Sequence, residues 1–131
     1  MGKIICFIVL AMAATSAVAQ NTERRCGWVD NPTPANWWIL DRHDDWELSR
    51  QGGSSMSSSN GFWDLPDDAF HFGDDWVHFN DFNGYGYGCG CVDGHFVDGF
   101  AVSVEAMELL PLPLARCEMD PALPQREMEP D

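Results

Sequence analysis

Beyond its third residue this 131-residue sequence contains no lysine, and six arginines face twenty-one aspartates and glutamates. A surface fifteen charges negative repels nucleic-acid phosphates and anionic lipid, so both are excluded as partners. It favours a cationic protein or metal ions, and it also keeps a chain soluble. After the first twenty residues there is no long apolar run, which excludes a later membrane-spanning helix. Neither Gly-x-Ser-x-Gly nor His-Glu-x-x-His occurs, no phosphate-binding loop is present, and no internal repeat is found. Acidic pairs at 44–45, 67–68 and 74–75 are plentiful. Glycoside hydrolysis, however, needs two carboxylates held across a substantial cleft, which a domain of this size rarely builds. The expectation is a protein that is not an enzyme and needs no cofactor.

The start of the chain reads as an export signal, residues 1–19. Lys3 supplies the positive charge, IICFIVLAMAA the apolar stretch, and Ala17-Val18-Ala19 a small-residue cleavage site. That stretch is shorter than the ~20 residues a membrane span requires. The expected mature chain is soluble and exported, to the periplasm or outside the cell. It divides into a loose lead-in (20–25), a single domain (26–117) and an acidic, proline-rich tail without regular structure (118–131).

Cys6 leaves with the signal, and Cys26, Cys89, Cys91 and Cys117 remain. Four cysteines in a short exported chain point to two disulfides. On a strand, Cys89 and Cys91 share a face with roughly 6.6 Å of rise between them. That separation exceeds the about 3.5–4.5 Å that a disulfide allows between Cβ atoms. Each therefore reaches outward, one to Cys26 and the other to Cys117, in either order. Such closures stabilise by roughly 4 kcal/mol each on chain-entropy grounds. A thiolate metal site or a redox pair is the competing reading of Cys-x-Cys, but metal-binding cysteines show wider, repeated spacing.

Strand and turn signals dominate the domain. Trp37-Trp38-Ile39-Leu40 reads as a strand covered on both faces, and the alternating Trp46-Glu47-Leu48-Ser49-Arg50 as its hairpin partner. GGSSMSSSNG (52–61) is a low-complexity loop. Trp76-Val77-His78-Phe79, the cysteine segment and Phe100-Ala101-Val102-Ser103-Val104 are further strands, with GHFVDG (94–99) as a turn and Phe100, Val102 and Val104 on one face. EAMELL (105–110) either continues that strand or forms a turn of helix. The fold class expected is mainly β: a small antiparallel sheet or partly open barrel stapled by two disulfides.

Arg25-Cys26-Gly27-Trp28, Asn31-Pro32-Thr33-Pro34-Ala35-Asn36-Trp37-Trp38, Asp41-Arg42, Trp46 and Gln51-Gly52-Gly53 form one set of distinctive blocks. Asn83-Gly84-Tyr85-Gly86-Tyr87-Gly88-Cys89-Gly90-Cys91 and Pro113-Leu114-Ala115-Arg116-Cys117 form another. With these the chain resembles a family of small exported bacterial proteins of unknown function. The resemblance implies export and the cysteine framework, and no activity. The chain departs most from that pattern at residues 54–82, where it is longer and more acidic.

Six tryptophans are many for so small a domain. Trp28, Trp38 and Trp76 are expected in the core; Trp37 and Trp46 stand between core and surface; Trp63, in a loop, is the best exposed ring. Glycines 84, 86, 88 and 90 alternate with Tyr85, Tyr87 and Cys89, leaving a bare strand face for an aromatic ring of the protein itself. His71, Asp74, Asp75 and His78 could bind zinc or copper, but their spacing matches no established site. Asp81-Phe82-Asn83-Gly84 lacks the glutamate that would complete a calcium loop. No metal is expected, although a metal-handling protein using Cys89, Cys91, His71 and His78 is conceivable if the thiols are free. Two binding readings result. In the first, an acidic aromatic surface at 62–82, with Asp74 and Asp75, engages or inhibits a cationic envelope protein. In the second, Trp37, Trp46 or Trp63 stacks on a wall glycan or small ligand.

Overall fold

Strand structure begins at Glu23, inside the segment expected to be a loose lead-in. In the computed structural model, which describes residues 22–52, 61–102 and 108–126, β1 (Glu23–Thr33) runs antiparallel to β5 (Gly86–Val97) from Glu23↔Gly94 to Asn31↔Gly86. On its other side β1 pairs with β2 (Asn36–Leu40) across the Pro34-Ala35 turn, where Ala35 takes a left-handed φ of 61°. β2 forms the expected hairpin with β3 (Asp45–Ser49). β3 then meets β6 (Phe100–Val102), and β6 pairs back with β5. These pairings close a ring, β1–β2–β3–β6–β5 and back to β1. Two further strands, β4 (Val77–His78) and β7 (Glu108–Leu112), attach to β5. The protein is mainly β as expected, but the sheet is mixed: β3 and β6 run parallel, in register at Glu47↔Phe100.

The turn expected over residues 94–99 is confined to Asp98-Gly99. Both residues have positive φ (50° and 87°), the conformation that a two-residue hairpin demands and that Asp-Gly supplies. Residues 94–97 extend β5 instead. In β6, Phe100 and Val102 share one face, which is half-buried, while the opposite face buries Ala101; Val104 lies outside the described residues. The EAMELL stretch enters strand structure at Glu108, and Pro111 sits within β7 opposite Gly90. Proline is tolerated on such a strand, which pairs on one side only. The signal at 1–19 and most of the 52–61 loop lie outside the described residues.

Strand alternation gives β1 and β5 two working faces. Inside the ring, Val29 and Val92 join Ile39, Leu48, Phe96 and Leu109 in the main core. On the opposite face, Trp28, Tyr87 and Cys89 form a second cluster with Cys117 and Leu123. Cys26 and Cys91 are direct cross-strand partners and form one disulfide. Cys89 is bonded to Cys117 on α1 (Leu114–Glu118). The double anchor of Cys-Gly-Cys is thus present: one cysteine ties β1 and the other ties the C-terminal segment.

That segment differs from the irregular tail expected from residue 118. Residues 119–126 make turns but are docked: Leu123 is buried, and the Trp28 indole N–H donates to the Pro124 carbonyl at 2.9 Å. Burial of Leu123 and the Cys117 bridge supply what the acidic, proline-rich composition conceals.

Candidate binding surface

Residues 61–82 carry no long strand or helix. Three single 3-10 turns (Phe62–Asp64, Asp67–Phe70 and Gly73–Asp75) carry the chain over the glycine face of β5 before the short β4. Those glycines explain how it fits. A Cβ on Gly88 would lie 2.6 Å from a Phe72 ring carbon, and one on Gly86 would lie 2.0 Å from the Val77 carbonyl oxygen. The expected ring on the bare face is therefore Phe72, with Trp76 beside it at a centroid distance of 5.0 Å. The Trp76 indole N–H donates to the Gly84 carbonyl at 2.9 Å and pins the end of the segment.

The tryptophan assignments change accordingly. Trp37 is 9% exposed and packs against Phe62, Phe70 and Trp76, whereas Trp38, expected inside, is half-buried. Alternation correctly separates the two rings, but the 61–82 segment covers the Trp37 face. Trp46 is engaged as well: its N–H donates to Asp41 Oδ1 at 3.1 Å, and the Arg25 guanidinium lies 3.8 Å above its ring. Trp37 is packed within the ring cluster, and one face of Trp46 is taken by Arg25. Trp63 is 54% exposed, backed by Phe70 and fixed by an indole N–H bond to Ser49 Oγ at 3.0 Å. Trp76, expected in the core, is half-buried.

Between the segment and the ring lies a cleft of about 500 Å³ walled by Trp37, Phe70 and Trp76, with Asn31, His71 and His78 supplying polar groups. On the same segment Asp64, Asp67, Asp68 and Asp74 are exposed. None of the four forms an ion pair among the described residues. Asp75 belongs elsewhere: its Oδ1 accepts the Leu114 N–H at 3.1 Å, which ties the start of α1 to this segment. His71 and His78 reach the same cleft, but no three metal-binding side chains converge among the described residues.

Carboxylates of the scaffold are treated differently. Arg24 grips Asp93 with two bonds of 2.7 and 2.8 Å. Arg25 bonds both Asp41 and Glu23 at 2.8 Å, and Arg50 and Arg126 pair with Glu47 and Asp30. The Arg24 hydrogen bond holds the Asp93 carboxyl below its ordinary value against some burial. Burial alone would push Asp41 upward, yet donors from the Asp44 N–H, Arg25, the His43 N–H and the Trp46 indole outweigh it and leave Asp41 lowered. Asp30 goes the other way: burial raises it, and Arg126 only partly offsets this.

Asp30, Tyr87 and Arg126 form a grouping the sequence reading missed. Strand alternation places Trp28 and Asp30 on one face, but nothing in the sequence brings Arg126 to them from 96 residues away.

Fold and surface together define a small disulfide-bridged β protein in which a loop-built, acidic aromatic surface covers one face of a glycine-rich strand. The chain matches the family described as protein of unknown function (DUF4087) over residues 20–124, and it belongs to that family. No curated protein and no solved structure matches it.

Proposed function

We propose that this is a non-catalytic, exported binding protein that engages a cationic envelope protein through residues 61–82, in the manner of an inhibitor. Export is supported by Lys3, the apolar stretch and Ala17-Val18-Ala19, and by two disulfides. Among the described residues no helix is long and apolar enough to cross a membrane. One observation carries the binding reading: Asp64, Asp67, Asp68 and Asp74 stand exposed, without ion pairs among the described residues, on the same segment whose Phe70 and Trp76 wall an aromatic cleft. They lie in a stretch, 51–115, that contains no lysine or arginine. An arginine or lysine docking on this segment gains from its ring faces and its carboxylates.

The test uses the oxidised mature protein as bait in an envelope extract, beside a variant with all four aspartates changed to asparagine. A cationic protein retained by the wild type at low salt, shed at high salt and missed by the variant is the expected result. Equal capture by both baits, or capture indifferent to salt, overturns the reading. A second reading rests on the exposed face of Trp63, which suits a wall glycan. It predicts salt-tolerant capture of wall fragments, lost in Trp63→Ala and kept in the aspartate variant.

A further inference from the structure

On the face of β5 remote from the glycines, a cation is already bound by aromatic rings and a carboxylate. The Arg126 guanidinium lies 4.6 Å from the Tyr87 ring centroid and 5.7 Å from that of Trp28. These two rings meet edge to face at 5.5 Å, and Arg126 Nη2 donates to Asp30 Oδ2. We propose that Trp28, Tyr87 and Asp30 form a binding site for an arginine side chain of a partner protein, and that Arg126 occupies it as an internal, displaceable plug.

Three observations carry this. First, Arg126 uses only half of the carboxylate. Asp30 Oδ1 is buried and has no hydrogen-bond partner among the described residues, whereas Arg24 on the same protein takes both oxygens of Asp93. A guanidinium approaching side-on would satisfy both Asp30 oxygens, which is the stronger arrangement. Second, the plug lies past the last anchors of its segment among the described residues. Cys117 is held by its disulfide, Leu123 is buried and the Pro124 carbonyl accepts the Trp28 N–H, so Arg126 can swing out while these stay in place. Third, Trp28, Asp30 and Tyr87 lie within the family match, which ends at residue 124, two residues before the plug.

Phe79, 44% exposed, packs on Tyr87 at 5.8 Å and continues the aromatic surface from this site toward β4. The proposal uses no aspartate of 61–82 and stands apart from the reading above.

Its test is a titration of the oxidised protein with Nα-acetylarginine methylamide, followed by the NMR signals of the Trp28 indole and the Tyr87 ring. A plug reduces apparent affinity by the fraction of time the site is free. The Arg126→Gln variant is therefore expected to bind the probe roughly tenfold or more tighter than the wild type. Adding Asp30→Asn should remove that gain, and the norleucine analogue, which lacks the charge, should not bind. Equal affinity in wild type and Arg126→Gln, or shifts that bypass Trp28 and Tyr87, overturns the proposal. So does an Arg126→Gln protein that loses its fold, since Arg126 is then a structural latch. The four-aspartate variant should bind the probe as its parent does, which separates a failure here from a failure at 61–82.

Discussion

The two faces of β5 are covered by segments held in opposite ways. Against Gly86 and Gly88, residues 61–82 lie by ring packing, with Phe72 and Trp76 filling space that a single Cβ would take. Against Tyr87 and Cys89, the C-terminal segment is tied by a disulfide and then by Leu123, Pro124 and Arg126. One cover depends on what the strand lacks, and the other on a covalent bond the strand makes. The acids follow the same division: Asp30 beneath the tied cover is paired, whereas the exposed aspartates of the packed cover form no ion pair among the described residues. A cover held by ring packing and hydrogen bonds, without ion pairs among the described residues, leaves its charges available to a partner.

The largest expected effect comes from cutting the tie. Replacing Cys89 and Cys117 with serine opens a loop of 28 residues and should cost about 3–4 kcal/mol on chain-entropy grounds. The urea midpoint measures it. Hydrogen exchange should show protection lost first over residues 114–126, with 61–82 still protected. Simultaneous loss over both segments would show that the covers are one cooperative unit.

The next effect tests the packed cover. Gly88→Ala drives a methyl into Phe72 and should cost about 1–3 kcal/mol, with Phe72 and Trp76 ring signals shifted. Gly84→Ala, four residues earlier in the same alternating run, meets nothing within 4 Å and should leave stability unchanged to within about 0.5 kcal/mol. If both variants lose stability equally, the glycines serve backbone freedom rather than ring access.

Much of this arrangement was legible beforehand. Cys-Gly-Cys on a strand excluded a local bridge, and the alternating glycines demanded a ring, because both follow from period-two geometry. Geometry of one strand does not say which of its faces looks inward. Trp37 and Trp38 were therefore separated, but the core was given to Trp38 and Trp37 was left between core and surface, since the segment that buries Trp37 lies far along the chain. Composition misled at residues 119–126, where one leucine and one disulfide outweigh the prolines and acids. Asp75 was read as a ligand group because nothing in the sequence shows that it accepts the Leu114 N–H 39 residues later.

Acid offers the finest comparison of the two sides, because their carboxylates are displaced in opposite directions. Asp41, on the core side with Arg25 and Trp46, is held below the ordinary carboxylate value. Its charged form stabilises the fold above the unfolded value of about 4, and that contribution is lost as pH falls through its lower folded value. Asp30, beneath Arg126, is raised, so the fold takes up its proton above about 4 and gains stability as pH falls through that window. Lowering the pH should therefore neutralise Asp30 first and loosen Arg126 while Arg25 keeps Asp41. Carboxyl-carbon NMR would show the Asp30 signal moving with the Trp28 indole at higher pH, and the Asp41 signal moving with the Trp46 indole only below about 4. In Asp41→Asn the loss of stability at low pH should shrink while the Trp28 transition stays in place. If the Trp46 transition came first, the C-terminal cover rather than the core would hold the better-satisfied carboxylate, and Arg126 would be a poor candidate for a displaceable plug.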